Sequence, residues 1–233
     1  MFQSNKEYIE FLIQSGVHTF LQEKPNKLLE THKSRKIDGI KKIEEINEIQ
    51  ELIPLIKSHK SSLKTTSKNL VLYDGNLDSN LIIIGEAPGK EEDEQGVPFV
   101  GRAGQLLNKM LSAIKLEREN VYITNVLPWR PPENRTPTDN EILEFLPFLQ
   151  KQIEIINPKI IYLLGATAAR AILSTPLSLG KLRGKWHKYK SIHTDNSINV
   201  LVSYHPAFLL RSPNFKKEAW SDLKMLQSKL NEN

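Results

Sequence analysis

Apolar positions along the chain fall into two regimes. In the first 60 residues they recur at helical spacing. Tyr8, Ile9, Leu12, Ile13, Val17, Phe20 and Leu21 form one stripe, which Pro25 closes or just follows. A polar, basic connector covers residues 23–36. Beyond it Ile37, Ile40, Ile43, Ile46, Ile49 and Leu52 recur every three residues, a second helical stripe predicted to break at Pro54. The run is too short for several heptads, so it reads as a stripe docked on the main domain rather than a coiled-coil seam. From residue 70 the rhythm changes. Short β-rich runs at 81–84, 121–126, 159–164 and 198–204 alternate with helical patterns at 104–114, 138–156, 166–173 and 216–230. That alternation predicts an α/β fold, a parallel sheet covered by helices on both faces. The predicted organisation is an N-terminal helical extension, residues 1–58, followed by an α/β domain, residues 59–233.

Each predicted strand runs into a chemically loaded segment. The first ends in Gly85-Glu86-Ala87-Pro88-Gly89. The second carries Thr124-Asn125 and then Arg130-Pro131-Pro132. The third ends in Gly165-Ala166-Thr167 and the fourth in His205-Pro206. Ligands of open parallel sheets bind outside the carboxyl ends of the strands, so Glu86, Asn125 and His205 are predicted to face one crevice. A carboxylate can position or deprotonate water. A carboxamide can read an amide-like edge through two hydrogen bonds, and a histidine can donate to developing negative charge. Together they suit hydrolysis of a bond whose leaving group is a planar heterocyclic anion. Taken singly, each has a plainer role: a turn or cap for the Glu, a turn for the Asn, a structural ring for the His. The convergence on strand ends favours the functional reading. The Gly-rich stretch GEAPGKEEDEQGVPFVGRAG is neither a G-x-G-x-x-G nor a P-loop, and fits close backbone approach to a small ligand better than a triphosphate site. Phe99 within it is either core or a base-stacking ring.

Charge adds a partner class. Thirty-two Lys and Arg against 27 Asp and Glu leave a formal charge of +5, which suits a polyanion. Arg102, Arg130, Arg135, Arg183, Lys185, Arg211, Lys216 and Lys217 flank the loaded loops and could track a phosphate backbone. Cysteine is absent, which excludes disulfides, thiol nucleophiles, Cys-based zinc sites and thiolate-held iron–sulfur clusters. No metal-ligand spacing stands out. No run approaches 18 apolar residues and the N-terminus has no secretory pattern, so a cytoplasmic protein without a membrane span is expected.

Five blocks then carry a resemblance: GEAPGKEEDEQGVPFVGRAGQLL, VYITNVLPWRPPENRTP, PKIIYLLGATAARAIL, RGKW and SYHPAFLLRSPNFKKEAWSDL. In content and order, over roughly residues 60–228, they resemble the family 4 uracil-DNA glycosylases. The resemblance implies a three-layer α/β/α domain with a four-stranded parallel sheet, and removal of uracil from DNA by hydrolysis of its N-glycosidic bond. It implies that Glu86 orients the attacking water and that His205 stabilises the leaving uracil anion at O2. Asn125 would hold the uracil edge and Phe99 would stack on the ring. Gly85 and Ala87 would complete the uracil site, with Glu92 near the C5 edge. Leu209, Leu210 and Arg211 would form a loop entering the duplex, and Arg102 and Arg130 would contact DNA. Flipping the nucleotide costs a few kcal/mol, which apolar wedges partly offset. The implied partner is uracil-containing DNA, bound by a monomer.

One departure is large. The family holds an iron–sulfur cluster on four cysteines, and their places here are taken by Ser58, Ser61, Trp129 and Phe145. The cluster is therefore expected to be absent, leaving no cofactor. Trp129 and Phe145, packed on each other and on Leu55 or Leu63, would fill its volume. Two other functions stay open: a glycosylase for another deaminated base, such as hypoxanthine or xanthine, and a noncatalytic lesion-binding module.

Overall fold

The computed structural model describes residues 43–190 and 197–232. The stripe over residues 8–21, Ile37 and Ile40 lie outside the described residues. The strands are β1 Tyr73–Gly75, β2 Leu81–Gly85, β3 Tyr122–Asn125, β4 Ile160–Leu164, β5 Trp186–Lys190 and β6 Ser197–Ser203. They form one sheet in the order β1-β3-β2-β4-β6-β5. The four predicted strands are the central ones and run parallel. Two further strands extend the sheet, β1 antiparallel on β3 and β5 antiparallel on β6, making six rather than four.

The helices are α1 Ile49–Ser58, α2 Lys90–Gln95, α3 Arg102–Ser112, α4 Asp139–Ile156, α5 Ala166–Leu173, α6 Leu179–Leu182, α7 Pro206–Arg211 and α8 Lys216–Asn231. Strand alternation sorts the core into two layers. Ile82, Ile84, Ile161, Leu163, Val200 and Val202 face α1, α4 and α5, whereas Leu81, Ile83, Ile160, Tyr162, Leu164 and Leu201 share a cluster with residues of α3 and α8. Strands buried on both faces read as continuous apolar runs, which is why they were visible in the sequence.

One local reading changes. Pro54 does not end its helix: α1 runs through it to Ser58. A helical proline forfeits the bond to the carbonyl four residues back, and burial of Ile49, Leu52 and Ile56 on the inner face offsets that loss. Ile43, Ile46, Ile49, Leu52 and Ile56 share the cluster of α4 and α5, as expected of a stripe docked on the main domain. Helix α4 starts in a capping box, with Thr138 Oγ1 accepting from Glu141 N–H at 3.3 Å and Glu141 Oε2 accepting from Thr138 N–H at 2.8 Å. No helix among the described residues is long and apolar enough to cross a membrane.

Candidate active site

A cleft of about 380 Å³ opens at the carboxyl ends of β2, β3 and β6. It is lined by Glu86, Ala87, Glu92, Phe99, Asn125, His205 and Arg211, with Pro131, Asn134, Arg135, Ala207 and Phe208 among the remaining wall residues. The sheet thus brings Glu86 and His205, 119 positions apart, into one cleft. Gly85 and Asn125 are paired neighbours in the register of β2 and β3.

Asn125 is 4% exposed, and its Oδ1 has no hydrogen-bond partner among the described residues. Buried polar atoms are almost always paired, so an orphaned acceptor lining a cleft is suited to a ligand's N–H. Gly85 lies behind the wall rather than in it. A Cβ there would stand 2.4 Å from Asn125 Oδ1 and 2.4 Å from Phe99 Cζ, so only glycine lets both side chains close in.

The Phe99 ring stacks on His205, with centroids 5.5 Å apart and planes at 28°. Its backbone sits at φ +55, a region costly for a non-glycine residue. Arg118 holds it there, donating from Nη1 to the Phe99 carbonyl at 2.9 Å and from Nη2 to the Pro98 carbonyl at 2.8 Å. Arg118 is itself anchored by Asp74 of β1, through Nε at 2.8 Å and an Nη2 contact. Gly104 completes the turn, because a Cβ at that position would overlap the Phe99 carbonyl at 1.7 Å.

His205 caps α7: its Nδ1 accepts from Ala207 N–H at 3.1 Å. The neutral ring therefore carries its proton on Nε2. Burial, with the Arg211 charge adding to it, pushes His205 down to about 4, so the ring is neutral near pH 7. Glu86 Oε2 accepts from Thr167 Oγ1, and Oε1 has no partner among the described residues. A half-buried carboxylate with one free oxygen can orient water. A neutral Nε2–H can donate to an oxyanion.

Other expected residues take different places. Glu92 lines the cleft, but both its oxygens bind loop backbone: Oε2 accepts from Gly89 N–H at 3.1 Å, and Oε1 from Val100 and Gly101 N–H at 3.0 and 2.9 Å. Leu209 is 1% exposed and belongs to the core; Leu210 is 37% exposed. They sit on α7, not on a loop, so of the two only Leu210 presents an apolar surface to solvent. Arg102 is exposed at the start of α3, outside the cleft wall. Arg130 is half-buried and donates from Nε to Asn134 Oδ1 at 2.7 Å. Arg135 binds Glu141 through both nitrogens at 2.8 and 2.6 Å and holds that carboxyl down to about 2. Arg183 is a strut rather than a rim cation, bonded to Asp222 at 2.6 Å and Glu218 at 2.8 Å. Asp222 in turn accepts from Ser203 Oγ at 2.7 Å, securing the end of β6 beside His205. Thr167, Arg118 and Phe208 had no assigned role in the sequence; Thr167 alone stood in a strand-end segment that could have flagged it.

The places of the four cluster cysteines do not fit iron. Ser58 Oγ donates to the Leu55 carbonyl at 3.0 Å, and Ser61 Oγ accepts from Leu63 N–H at 3.3 Å. Trp129 and Phe145 are 6% and 1% exposed, in one apolar cluster with Leu63, against which Leu55 packs. The Phe145 ring contacts His59 and Phe148 at 5.7 and 6.1 Å, while Lys64 Nζ lies 5.9 Å over the Trp129 ring. No thiolate, a buried phenyl ring and a buried indole whose N–H can only donate do not make an iron site.

An open parallel α/β sheet with a carboxylate, a carboxamide and a neutral imidazole at its strand ends defines a small-ligand hydrolytic scaffold. Residues 72–224 match the model of the uracil DNA glycosylase superfamily, and the chain belongs to that superfamily. A type-4 uracil-DNA glycosylase of Thermotoga maritima is 46% identical over 145 residues, 62% of this chain and 73% of the relative. Those of Pyrobaculum aerophilum and Archaeoglobus fulgidus are 41% and 39% identical over 176 residues each, covering 89% and 87% of the relatives and 73% and 74% of this chain.

Proposed function

We propose that this protein is a uracil-DNA glycosylase: it extrudes uracil from DNA and hydrolyses the bond between uracil N1 and the sugar C1′, leaving an abasic site. The observation that carries the reading is the orphaned, buried Asn125 Oδ1 beside the stacked Phe99 ring. Uracil offers N3–H to that acceptor and O4 to the carboxamide N–H. Cytosine offers the opposite pattern, which leaves a buried donor and acceptor unpaired at about 1–3 kcal/mol each.

In this reading Phe99 stacks on the extruded ring, and Ala87 and Glu92 shape the pocket. Glu86 directs a water at C1′ with its free oxygen. As the N1–C1′ bond breaks, its electron pair stays on uracil, and the charge collects partly on O2. His205 Nε2–H donates to that oxygen. A neutral donor suffices, because the uracil anion is already a stabilised leaving group. The water oxygen bonds to C1′, one water proton passes to Glu86 or solvent, and uracil leaves as its anion. The basic excess supports DNA as substrate; the enzyme acts as a monomer, in the cytoplasm.

The test is incubation with oligonucleotides carrying one uracil, hypoxanthine or xanthine, followed by alkaline cleavage at abasic sites. Uracil-specific cleavage by wild type, lost in folded Asn125→Ala, is the expected result. Cleavage only at another base, or near-normal cleavage by Asn125→Ala, overturns the reading.

A further inference from the structure

Next to the cleft lies a set of aromatic rings that none of the proposed chemical steps uses. Phe208, on α7, is a wall residue of the cleft. Its ring stacks on Tyr204 at 5.2 Å and 26°, and meets Phe215 at 5.1 Å and 49°. Tyr204 and Phe215 close the triangle at 5.2 Å. Tyr204 is buried at 9% exposure and pinned at its hydroxyl by Glu218 at 2.9 Å, while Arg183 lies 5.1 Å over its ring. The trio therefore has a fixed buried base and an open outer edge. Phe215, presented by the short turn Pro213–Phe215, is 37% exposed.

Isolated exposed aromatics are ordinary. This one is continuous with the cleft through Phe208 and is bordered by cations. Arg211 lines the cleft, and Lys216 and Lys217 are exposed immediately after Phe215. The carboxylate that follows them in sequence, Glu218, is ion-paired to Arg183 at 2.8 Å. An aromatic surface joined to a base pocket, edged by positive charge, matches a nucleobase with its phosphates. Such stacking is sequence-tolerant, because every base has a π-face.

We propose that Phe208 and Phe215 form a stacking platform for a nucleobase adjacent to the extruded one, with Arg211, Lys216 and Lys217 on the flanking phosphates. The site rests on the uracil-DNA reading and adds a second base subsite to it. It holds the strand at the cleft mouth once the neighbouring base has lost its stacking partner.

The test measures binding separately from excision. Single-stranded oligonucleotides carry one 2′-fluorodeoxyuridine, which resists cleavage, and either normal neighbours or a base-less tetrahydrofuran residue on the 5′ or the 3′ side. Fluorescence anisotropy gives Kd for the full-length wild type, Phe215→Ala and Phe215→Trp. Removing the base on one side should weaken wild-type binding by about 5- to 100-fold, the range for one stacked base. Phe215→Ala should bind the intact strand about that much more weakly and lose little more on the base-less strand. Phe215→Trp should behave as wild type. Thermal melting confirms that Phe215→Ala is folded. Wild-type binding indifferent to both base-less residues overturns the platform without using any variant. So do penalties that simply add in Phe215→Ala, or a dimer in sedimentation that Phe215→Ala dissolves. If unmodified uracil strands are not cleaved, the glycosylase reading fails instead, while the stacking measurement still stands or falls by itself.

Discussion

Thr167 Oγ1 donates to Glu86 Oε2, joining the start of α5 to the loop after β2 across 81 positions of sequence. The bond fixes one oxygen of the carboxylate and leaves the other for water. Thr167→Val keeps the shape and removes the donor. A hydrogen bond to a charged group is worth about 1.5–3 kcal/mol. Single-turnover excision should therefore slow by roughly 10-fold or more with little change in melting temperature, and Thr167→Ser should restore it. An unchanged rate in Thr167→Val would remove this residue from the orientation of Glu86.

Gly85→Ala tests the tight approach behind the pocket. Its Cβ would push on both Asn125 Oδ1 and Phe99 Cζ. Overpacking of this kind costs about 1–3 kcal/mol of stability. The larger effect should fall on KM and on the preference for uracil, because the two displaced groups are those proposed to meet the base. Near-normal discrimination between uracil and cytosine in Gly85→Ala would contradict that placement.

The low His205 value gives two pH predictions. The folded ring titrates near 4 and the unfolded ring near its ordinary 6.5. Between those values the unfolded chain binds the extra proton, so stability falls as pH drops. The contribution is fully present above 6.5 and lost as pH falls through 4. Urea unfolding at pH 7.5, 6, 5 and 4 should show this slope in wild type and a shallower one in His205→Asn. Excision by wild type should show no break near 6.5, since Nε2–H is already in place there. A break at 6.5 in the rate would mean that the ring is not held neutral.

Trp129 and Phe145 should behave as core residues. Truncating a buried aromatic to Ala costs about 3–5 kcal/mol, which corresponds to a fall in melting temperature on the order of 10 °C for a chain of this size. Calorimetry of Trp129→Ala and Phe145→Ala checks it; melting at the wild-type temperature would show that the joint bears no weight.

The four parallel strands and their loaded ends were legible because each strand is buried on both faces and reads as an unbroken apolar run. The edge strands were not. Tyr73–Gly75 is three residues long, and Trp186–Lys190 carries the polar pattern WHKYK, with only Tyr189 buried. Glu86, Asn125, Phe99 and His205 were legible as strand-end or loop chemistry. Leu209 and Leu210 were not separable by sequence: both are apolar and adjacent, and only the helix of α7 decides that one turns inward. Arg118 carried no local signal, because its partners Asp74 and the Phe99 carbonyl lie 44 and 19 residues away. Thr167 stood in a strand-end segment, but its bond to Glu86 spans 81 positions and had no sequence signal.

The Arg118 clasp has a reach beyond its own contacts. It ties the carbonyls of Pro98 and Phe99 to Asp74, a residue of the outermost strand on the far side of β3. The ring proposed to meet the extruded base is thus indexed to the rim of the sheet as well as to the loop that carries it. A change at Asp74, which is not part of the cleft wall, would leave every group of that wall present and still misalign the ring. Loss of fidelity in this enzyme can therefore originate at a position that no inspection of the pocket would single out.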